Sequence, residues 1–393
     1  MAEILPRLLG ALRARLPEAV ELRHRLHAHP ELGNRERRTR GLLAEALGDQ
    51  GRRVAGSGLL LRIGGAAGPA VAVRAEMDGL SIVEATDTPF AATAGVMHAC
   101  GHDVHMAALV TLVRAARTVE AELEVPLVAV FQRSEETHPS GAARIVAEGA
   151  LAEEDVRAMT AVHVHPEVRW QAVAVDEGPV NASLDHLRIV VEGAAGHAAY
   201  PHQARDPILA LSQIVVSLQQ VVSRRANPMG NAALTIGWLR GGSADNAIPD
   251  RAEAGGTLRV LQPDARTPLL EATREVAEHT AKAHGCTARV EVTEGEPAIV
   301  NDAGLARAVR VLLPRAGLER AAELRSCGSD DFGYFAAVVP SLMLFLGLRG
   351  GPGGRERSLH HPEFLPPDEA VAAVAQAQAA AYAAAADAVA ADR

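Results

Sequence analysis

The sequence predicts an α/β fold: a mostly parallel sheet flanked by helices and interrupted by a smaller α+β insertion. Three observations carry this. Apolar runs of strand length alternate with amphipathic runs of helix length, first up to about residue 164 and again from Asp302. Between about Asp185 and Gly295 the rhythm changes to alternating strands and two longer helices. Clusters of His, Cys, Asp and Glu fall just past the apolar runs, and open α/β sheets bind ligands outside the carboxyl ends of their strands.

Taken in order, residues 3–28 read as one amphipathic helix, with Leu5, Leu8, Leu9, Leu12, Leu16 and Val20 near helical spacing. Pro30 ends it, within His27-Ala28-His29-Pro30-Glu31-Leu32. A second helix is expected over about 36–48. Gly51–Gly68 holds a strand around Leu59–Ile63 and a Gly-rich turn. Pro69–Arg74 is an apolar strand with Glu76-Met77-Asp78 at its end. Asp103–Val119 reads as a helix, Val125–Phe131 as a buried strand with Glu135-Glu136 just beyond, and Ala142–Gly149 as a short helix. Met159–Val164 is a third apolar strand, with His163 at its end and Pro166 closing it. Strands are then expected at His186–Glu192, Ala233–Leu239, Ala252–Leu261 and Cys286–Val292, with helices at Asp206–Ser223 and Thr267–His284. This β-α-β-β-α-β order is the ferredoxin-like arrangement. The large-domain style returns with a helix from Asp302, a strand at Ser341–Gly347 and a helix from Asp368. The Ala-rich Val371–Ala391 is most simply a surface-packed helix of high propensity. Gly350–Gly354 reads as a flexible loop, and no GxGxxG-type nucleotide motif is present.

Composition narrows the function. A chain of 393 residues is too long for one ordinary core, so two domains are expected. Apolar residues make up 48% and charged residues 22%, a globular composition. A formal net charge of −9 argues against a nucleic-acid partner. Lys282 is the only lysine, a compositional bias rather than a function. Cys100, Cys286 and Cys327 are too widely spaced for a disulfide framework. Residues 1–28 carry regular arginines and no unbroken apolar core, so no signal peptide is expected, and no stretch is long and clean enough to span a membrane. The cytoplasm is the expected compartment.

The chemistry concentrates in Met97-His98-Ala99-Cys100-Gly101-His102-Asp103-Val104-His105, three histidines, a cysteine and an aspartate in nine residues. Cys and His are ligands that zinc and its neighbours prefer. The plainer reading is a helix start with a buried Cys. A lone His is more often structural or on the surface, and a Glu-Glu pair is usually a solvated face. Cys100, His102, Glu135, Glu136, His163 and His360 nevertheless all sit at strand ends or in loops. Glu135-Glu136 directly follows a buried strand, where a carboxylate needs a partner or a cation. Together they favour a shared site for two divalent ions and an activated water. One of two adjacent glutamates could bind metal while the other stays free to move the water's proton.

At these motifs the chain resembles the amidohydrolases of metallopeptidase family 20, in the branch of aminoacylases, hippurate hydrolase and plant indole-acetyl-amino-acid hydrolases. RHRLHAHPEL is similar to the family's N-terminal motif, AVRAEMDGL to RADMDAL, MHACGHDVH nearly letter for letter, FQRSEE to FQPAEE and AVHVHP to HVxP. GHAAYPHQARDP, NAIPD, GGTLR, GSDDFGYF and LHHPEF resemble later motifs. The resemblance implies a zinc-peptidase-like catalytic domain in two parts, 1–182 and 296–393, and an inserted lid and dimerisation domain, 183–295. It implies Cys100, His102, Glu136, His163 and His360 as ligands of two divalent metal ions, zinc or manganese first, then cobalt or nickel. It implies Glu135 as general base and His197 as a residue that reaches a partner subunit's site and polarises the scissile carbonyl. Asn246 and Arg259 match positions that hold the substrate carboxylate, for which an Arg fork also suits geometrically. The implied substrate is a small N-acyl amino acid or peptide-like amide, and the implied assembly a homodimer, with a tetramer as alternative.

There are departures. Glu76 stands where Asp is usual, Ser81 and Arg133 where Pro is common, His165 where an aromatic is common, and Asp330 where Glu is common. Glu76, Arg133 and His165 lie near the site, where substrate preference or metal choice would be set. His98 and His105 are either orienting partners of ligands or surface residues; for His138 the surface reading is preferred. Two rival functions are weaker. A cysteine hydrolase using Cys100 with His102 or His105 leaves Glu136, His163 and His360 unemployed. A non-catalytic binding homologue predicts a lost base or ligand, and none is lost.

Overall fold

The computed structural model describes residues 3–65, 67–353 and 356–391. It divides into two compact units: 1–178 with 300–324 and 334–393, and 179–299 with 325–333. The first is built on an eight-stranded sheet. Across it run Arg52–Val54, Gly58–Ile63, Leu127–Gln132, Ala70–Glu76, Val156–Arg169, Ser341–Arg349, Ala172–Ala174 and Glu319–Arg320. The central pairings, Leu127–Gln132 with Ala70–Glu76, that strand with Val156–Arg169, and that one with Ser341–Arg349, are all parallel. Ala70–Glu76 and Leu127–Gln132 are buried at every residue, which explains why each opens on a continuous apolar run, Ala70–Val73 and Leu127–Phe131, rather than an alternation.

The N-terminal segment forms two helices, Ile4–Arg13 and Leu16–His27, not one. The break falls at Ala14 and Arg15, and Pro17 sits in the first turn of the second helix, where its missing N–H costs nothing. An unforeseen short strand, Arg52–Val54, pairs antiparallel with Gly58–Ile63. The third apolar strand also departs from expectation: it runs Val156–Arg169, through Pro166, so His163 lies within it. Its pairing with Ser341–Arg349 is regular as far as His165 and irregular beyond, and Pro166, lacking an N–H, sits in the irregular stretch.

The largest correction concerns the Ala-rich helix, Glu369–Ala391. It is part of the core, with Ala370, Ala375, Ala377 and Ala379–Ala381 at 0% exposure. It packs against the His102–Thr118 helix, the Val156–Arg169 strand and the Ala303–Leu312 helix. Methyl side chains let backbones approach closely on several sides at once, so alanine here fills a narrow space rather than coating a surface. Tyr382 crosses the layer and donates its hydroxyl to the Val125 carbonyl. The Gly350–Gly353 part of the expected Gly-rich loop forms turns, while Gly354 lies outside the described residues, as does Ala66 of the earlier turn.

The second unit contains a four-stranded antiparallel sheet ordered Ala232–Gly241, Arg251–Val260, Ser183–Glu192, Thr287–Glu294. Numbered along the chain that is 2-3-1-4, the ferredoxin-like order. Its helices are Pro207–Gln220 and Pro263–Ala283. Asp206 caps the first, accepting from the Ile208 and Leu209 amides. Leu187, Ile189, Ala210, Ile214, Leu218 and Leu258 close a separate core. Arg266 grips the fully buried Asp185 through two nitrogens, at 2.9 and 2.7 Å.

Candidate metal centre

Cys100 and His102 flank Gly101, which has φ +86°, and an added Cβ there would lie 2.5 Å from Val164. Glycine therefore permits both the left-handed turn and the close approach to the Val156–Arg169 strand. The turn starts the His102–Thr118 helix, and the Sγ of Cys100 and the ring of His102 come together with a Glu136 oxygen, all within 4.8 Å of one another. The Cys100 Sγ is 3.5 Å from the His163 Nε2, and the His360 Nε2 is 3.2 Å from the Glu136 Oε1. Five residues spread over 260 positions thus meet at one place. Glu135 is beside them, its Oε2 4.0 Å from the His102 Nε2.

Hydrogen bonds dictate which histidine nitrogens are bare. The Nδ1–H of His102 donates to the Asp78 carbonyl at 2.9 Å, so its Nε2 carries a lone pair. That atom is buried and makes no hydrogen bond among the described residues. The Nδ1–H of His163 donates to the Val164 carbonyl at 2.7 Å, which likewise turns a bare Nε2 toward Cys100. His105 differs. Its Nδ1–H donates to Glu76 at 2.9 Å and its Nε2 accepts from the Val164 amide at 3.0 Å, so both nitrogens are used. It steadies the strand that carries His163. His98, buried, donates to the Asp78 carbonyl at 3.1 Å, and His138 is exposed.

Asp78 is the residue whose weight the sequence reading missed. Its carboxylate accepts the Glu135 amide at 3.1 Å and the Glu136 amide at 3.0 Å, while its carbonyl holds His98 and His102. The available signal was an aspartate just past a fully buried strand, where it must find partners. Burial, then the Glu136 charge, push Asp78 up to about 7. Burial, then Glu136, Glu135 and Glu76, push the Cys100 thiol well above its ordinary range. Burial opposes the charged form of Glu76, but Arg74, His105 and His102 outweigh it and hold its carboxyl low. A buried thiol, bare imidazole nitrogens and crowded carboxylates form a donor set that a cation completes, so the residues fit divalent metal ions.

Behind the site, His27 bonds Asp103 at 2.9 Å through Nδ1 and Glu84 at 3.0 Å through Nε2. Arg23 reaches the same Asp103 at 3.0 Å and the Pro366 carbonyl at 2.6 Å. This network ties the N-terminal motif to the start of the His102–Thr118 helix.

The remaining singled-out residues belong to the second unit. His197 pairs with Ala247 across the short Gly196–His197 and Ala247–Ile248 strands, and the Asn246 carbonyl accepts the Ala198 amide at 3.0 Å. The His197 Nδ1 accepts from the Ala199 amide at 3.0 Å, so its Nε2 bears the proton. Arg259 donates from Nη1 to the Cys327 carbonyl at 3.1 Å and lies 3.4 Å from the Ser329 hydroxyl.

Residues 72–384 match the family described as Peptidase family M20/M25/M40. The chain belongs to peptidase family M20. An N-acetyl-L-cysteine deacetylase of Bacillus subtilis is 32% identical over 360 residues, 90% of this chain and 85% of that protein. IAA-amino acid hydrolase ILR1-like 4 of Arabidopsis thaliana is 34% identical over 356 residues, 88% of this chain and 80% of that protein. Among solved structures, the Bacillus subtilis YXEP protein, described as a dinuclear metal binding peptidase from the M20 family, superposes with a TM-score of 0.83 at 30% identity. It covers 95% of this chain and 99% of its own. The fold and family that the motifs implied are those of this M20 chain, whose relatives hydrolyse amides. Among the described residues no helix is long and apolar enough to cross a membrane.

Proposed function

We propose that this M20 amidohydrolase removes the acyl group from small N-acyl amino acids, using two divalent metal ions per chain. The observation that carries the reading is the bare, buried Nε2 of His102 set among Cys100, Glu136 and His163. Cys100, His102, Glu136, His163 and His360 would hold the ions. A thiolate with imidazoles suits zinc, and imidazole with carboxylate also admits manganese, cobalt or nickel. Ions held there supply positive charge that acidifies a water and polarises the amide carbonyl.

Glu135 takes one proton from the attacking water as its oxygen bonds the carbonyl carbon. The carbon–nitrogen bond then breaks, and Glu135 returns the proton to the departing amine, leaving a carboxylic acid and an amino acid. Asp78 holds Glu135 and Glu136 in place through their amides. His197 donates its Nε2–H to the oxygen that gains charge, a role supported by its tautomer. Asn246 and Arg259 receive the amino acid's carboxylate, the latter steadied by Cys327.

The same reading takes His197 to serve a partner copy's site in a homodimer. Leu209, Val216, Trp238 and Leu239 are exposed on the second unit, and Ala232–Gly241 is an edge strand of its sheet, features that favour pairing with a second copy. The division into a two-part catalytic domain and an inserted domain remains part of this proposal, as does a cytoplasmic setting, where a thiol ligand stays reduced.

The test is a hydrolysis screen of N-acetyl, N-benzoyl and indole-acetyl amino acids and dipeptides, with enzyme reconstituted separately with zinc, manganese, cobalt and nickel. Glu135→Gln is expected to lose about 10²–10⁴-fold in turnover with its metal content intact. Activity within a few-fold of wild type removes Glu135 from the role. Activity that survives chelation and vanishes only with a thiol blocker would favour a cysteine nucleophile instead.

A further inference from the structure

Glu36 stands at the N-terminus of the Arg37–Leu47 helix, the position where a short polar side chain such as Asp or Ser ordinarily caps its own helix. It makes no such cap. The carboxylate is fully buried and turned the other way, toward the segment that carries the two active-site glutamates. Its Oε1 accepts the Ser134 amide at 2.8 Å and the Asn34 amide at 3.0 Å, and its Oε2 accepts the Ser57 hydroxyl at 2.7 Å.

Ser134 adopts φ +50°, a left-handed conformation that a serine holds only when its surroundings impose it. Three consecutive amides, those of Ser134, Glu135 and Glu136, are therefore gripped by two carboxylates, the first by Glu36 and the next two by Asp78. The contact is close on both sides. The Asn34 side chain donates to the Ser134 hydroxyl at 2.9 Å, and the Arg133 guanidinium reaches the Asn34 side-chain oxygen. A Cβ on Gly33 would fall 2.2 Å from the Thr137 hydroxyl, so this loop is pressed against the turn.

We infer that Glu36 is a positioning residue for the general base: it holds Ser134 in its left-handed conformation and thereby aims Glu135. The inference rests on the reading of Glu135 as base. Displacing a reacting group by about 1 Å costs on the order of 10²-fold in rate.

The experiment compares Glu36→Ala and Glu36→Gln, each in wild-type and Glu135→Gln backgrounds. Turnover of N-acetyl-L-cysteine by the zinc- or manganese-loaded enzyme is measured alongside metal content. Glu36→Ala is expected to lower kcat about 10–100-fold, with KM within about threefold and metal content unchanged. Glu36→Gln should restore most of kcat, because its amide oxygen accepts both backbone N–H groups and its NH2 donates to Ser57. In the Glu135→Gln background, Glu36→Ala should cost nothing further. Should Glu36→Ala not fold, Glu36→Asp keeps the charge, withdraws the carboxylate by one methylene, and should give the same pattern more weakly. Wild-type kcat in Glu36→Ala, an equal loss in both backgrounds, or a loss that tracks metal content would each overturn the inference. If Glu135→Gln itself remains active, the base assignment fails and this inference with it. If Glu135→Gln is inactive and Glu36→Ala is unimpaired, only the role of Glu36 falls.

Discussion

His27 is clasped by a carboxylate on each ring nitrogen and has no exposed surface, an arrangement that only an imidazolium satisfies. Burial opposes its charge, but Asp103 and Glu84 prevail and raise it from 6.5 to about 9. A raised folded value means the contribution is full below about pH 6.5 and lost as pH rises through about 9. At about 1.36 kcal/mol per unit this amounts to about 3 kcal/mol, shared with its carboxylate partners rather than added to theirs. Urea unfolding of wild type between pH 6 and 9.5 should therefore show stability falling over that window, and a much flatter profile in His27→Gln. Equal slopes would remove His27 as the cause. At the centre itself, Cys100→Ser should lower metal occupancy, since a hydroxyl is a far poorer ligand than a thiolate; elemental analysis of the purified variant decides, and full occupancy would refute the assignment. Cys100, His102, Glu135, Glu136, His163 and His360 were picked out in sequence because each follows an apolar run or stands in a motif. Asp78 left only its place at the end of a buried strand, and Glu36 left no signal, because both accept hydrogen bonds from backbone amides, which nearly every residue type can donate.

The elements were legible to the extent that burial is one-sided or complete. Ala70–Glu76 and Leu127–Gln132 are buried at every residue and open on continuous apolar runs, Ala70–Val73 and Leu127–Phe131. The helix Glu369–Ala391 was readable as a helix but not as core, since alanine has high helix propensity in either setting and little hydrophobic signature of its own. Only the neighbours that close around it reveal the difference. Its tight fit has a measurable cost: Ala380→Leu, at a position with no exposure, should destabilise by about 1–3 kcal/mol through overpacking. Chemical denaturation checks this, and a neutral result would mean that the helix can shift to make room. The continuation of Val156–Arg169 past Pro166 was hidden for another reason. Proline usually ends a strand, and here the pairing is already irregular where its missing N–H falls.

For the whole molecule, the proposed dimer makes activity a property of two chains. His197→Ala is expected to keep its metal and lose about 10²–10³-fold in turnover. Mixed with Glu135→Gln under subunit exchange, it should regain activity if His197 acts in the partner's site, because one site of the mixed dimer then carries both defects and the other neither. With exchange verified, no recovery would confine His197 to its own chain and leave the metal chemistry untouched. The ferredoxin-like unit was legible from its element order alone, since β-α-β-β-α-β admits few compact arrangements. That His197 carries its proton on Nε2 was not, because the tautomer is set by the Ala199 amide, a contact made by the fold of the turn.

The chain order of the large sheet bears on how this protein must be made. Val156–Arg169 lies beside Ser341–Arg349, yet roughly 170 residues separate them in sequence. At a synthesis rate of about 5–20 residues per second, the strand bearing His163 waits on the order of 10–30 s with one edge open. Its apolar edge is then a template for wrong pairing, and the last proposed ligand, His360, is translated later still. Nascent chains of this protein therefore pass through a long interval in which four of the five proposed ligands exist without the fifth. Early packing of the N-terminal helices is one way to shield that edge, since the proposed metal centre can close only after His360 has been made.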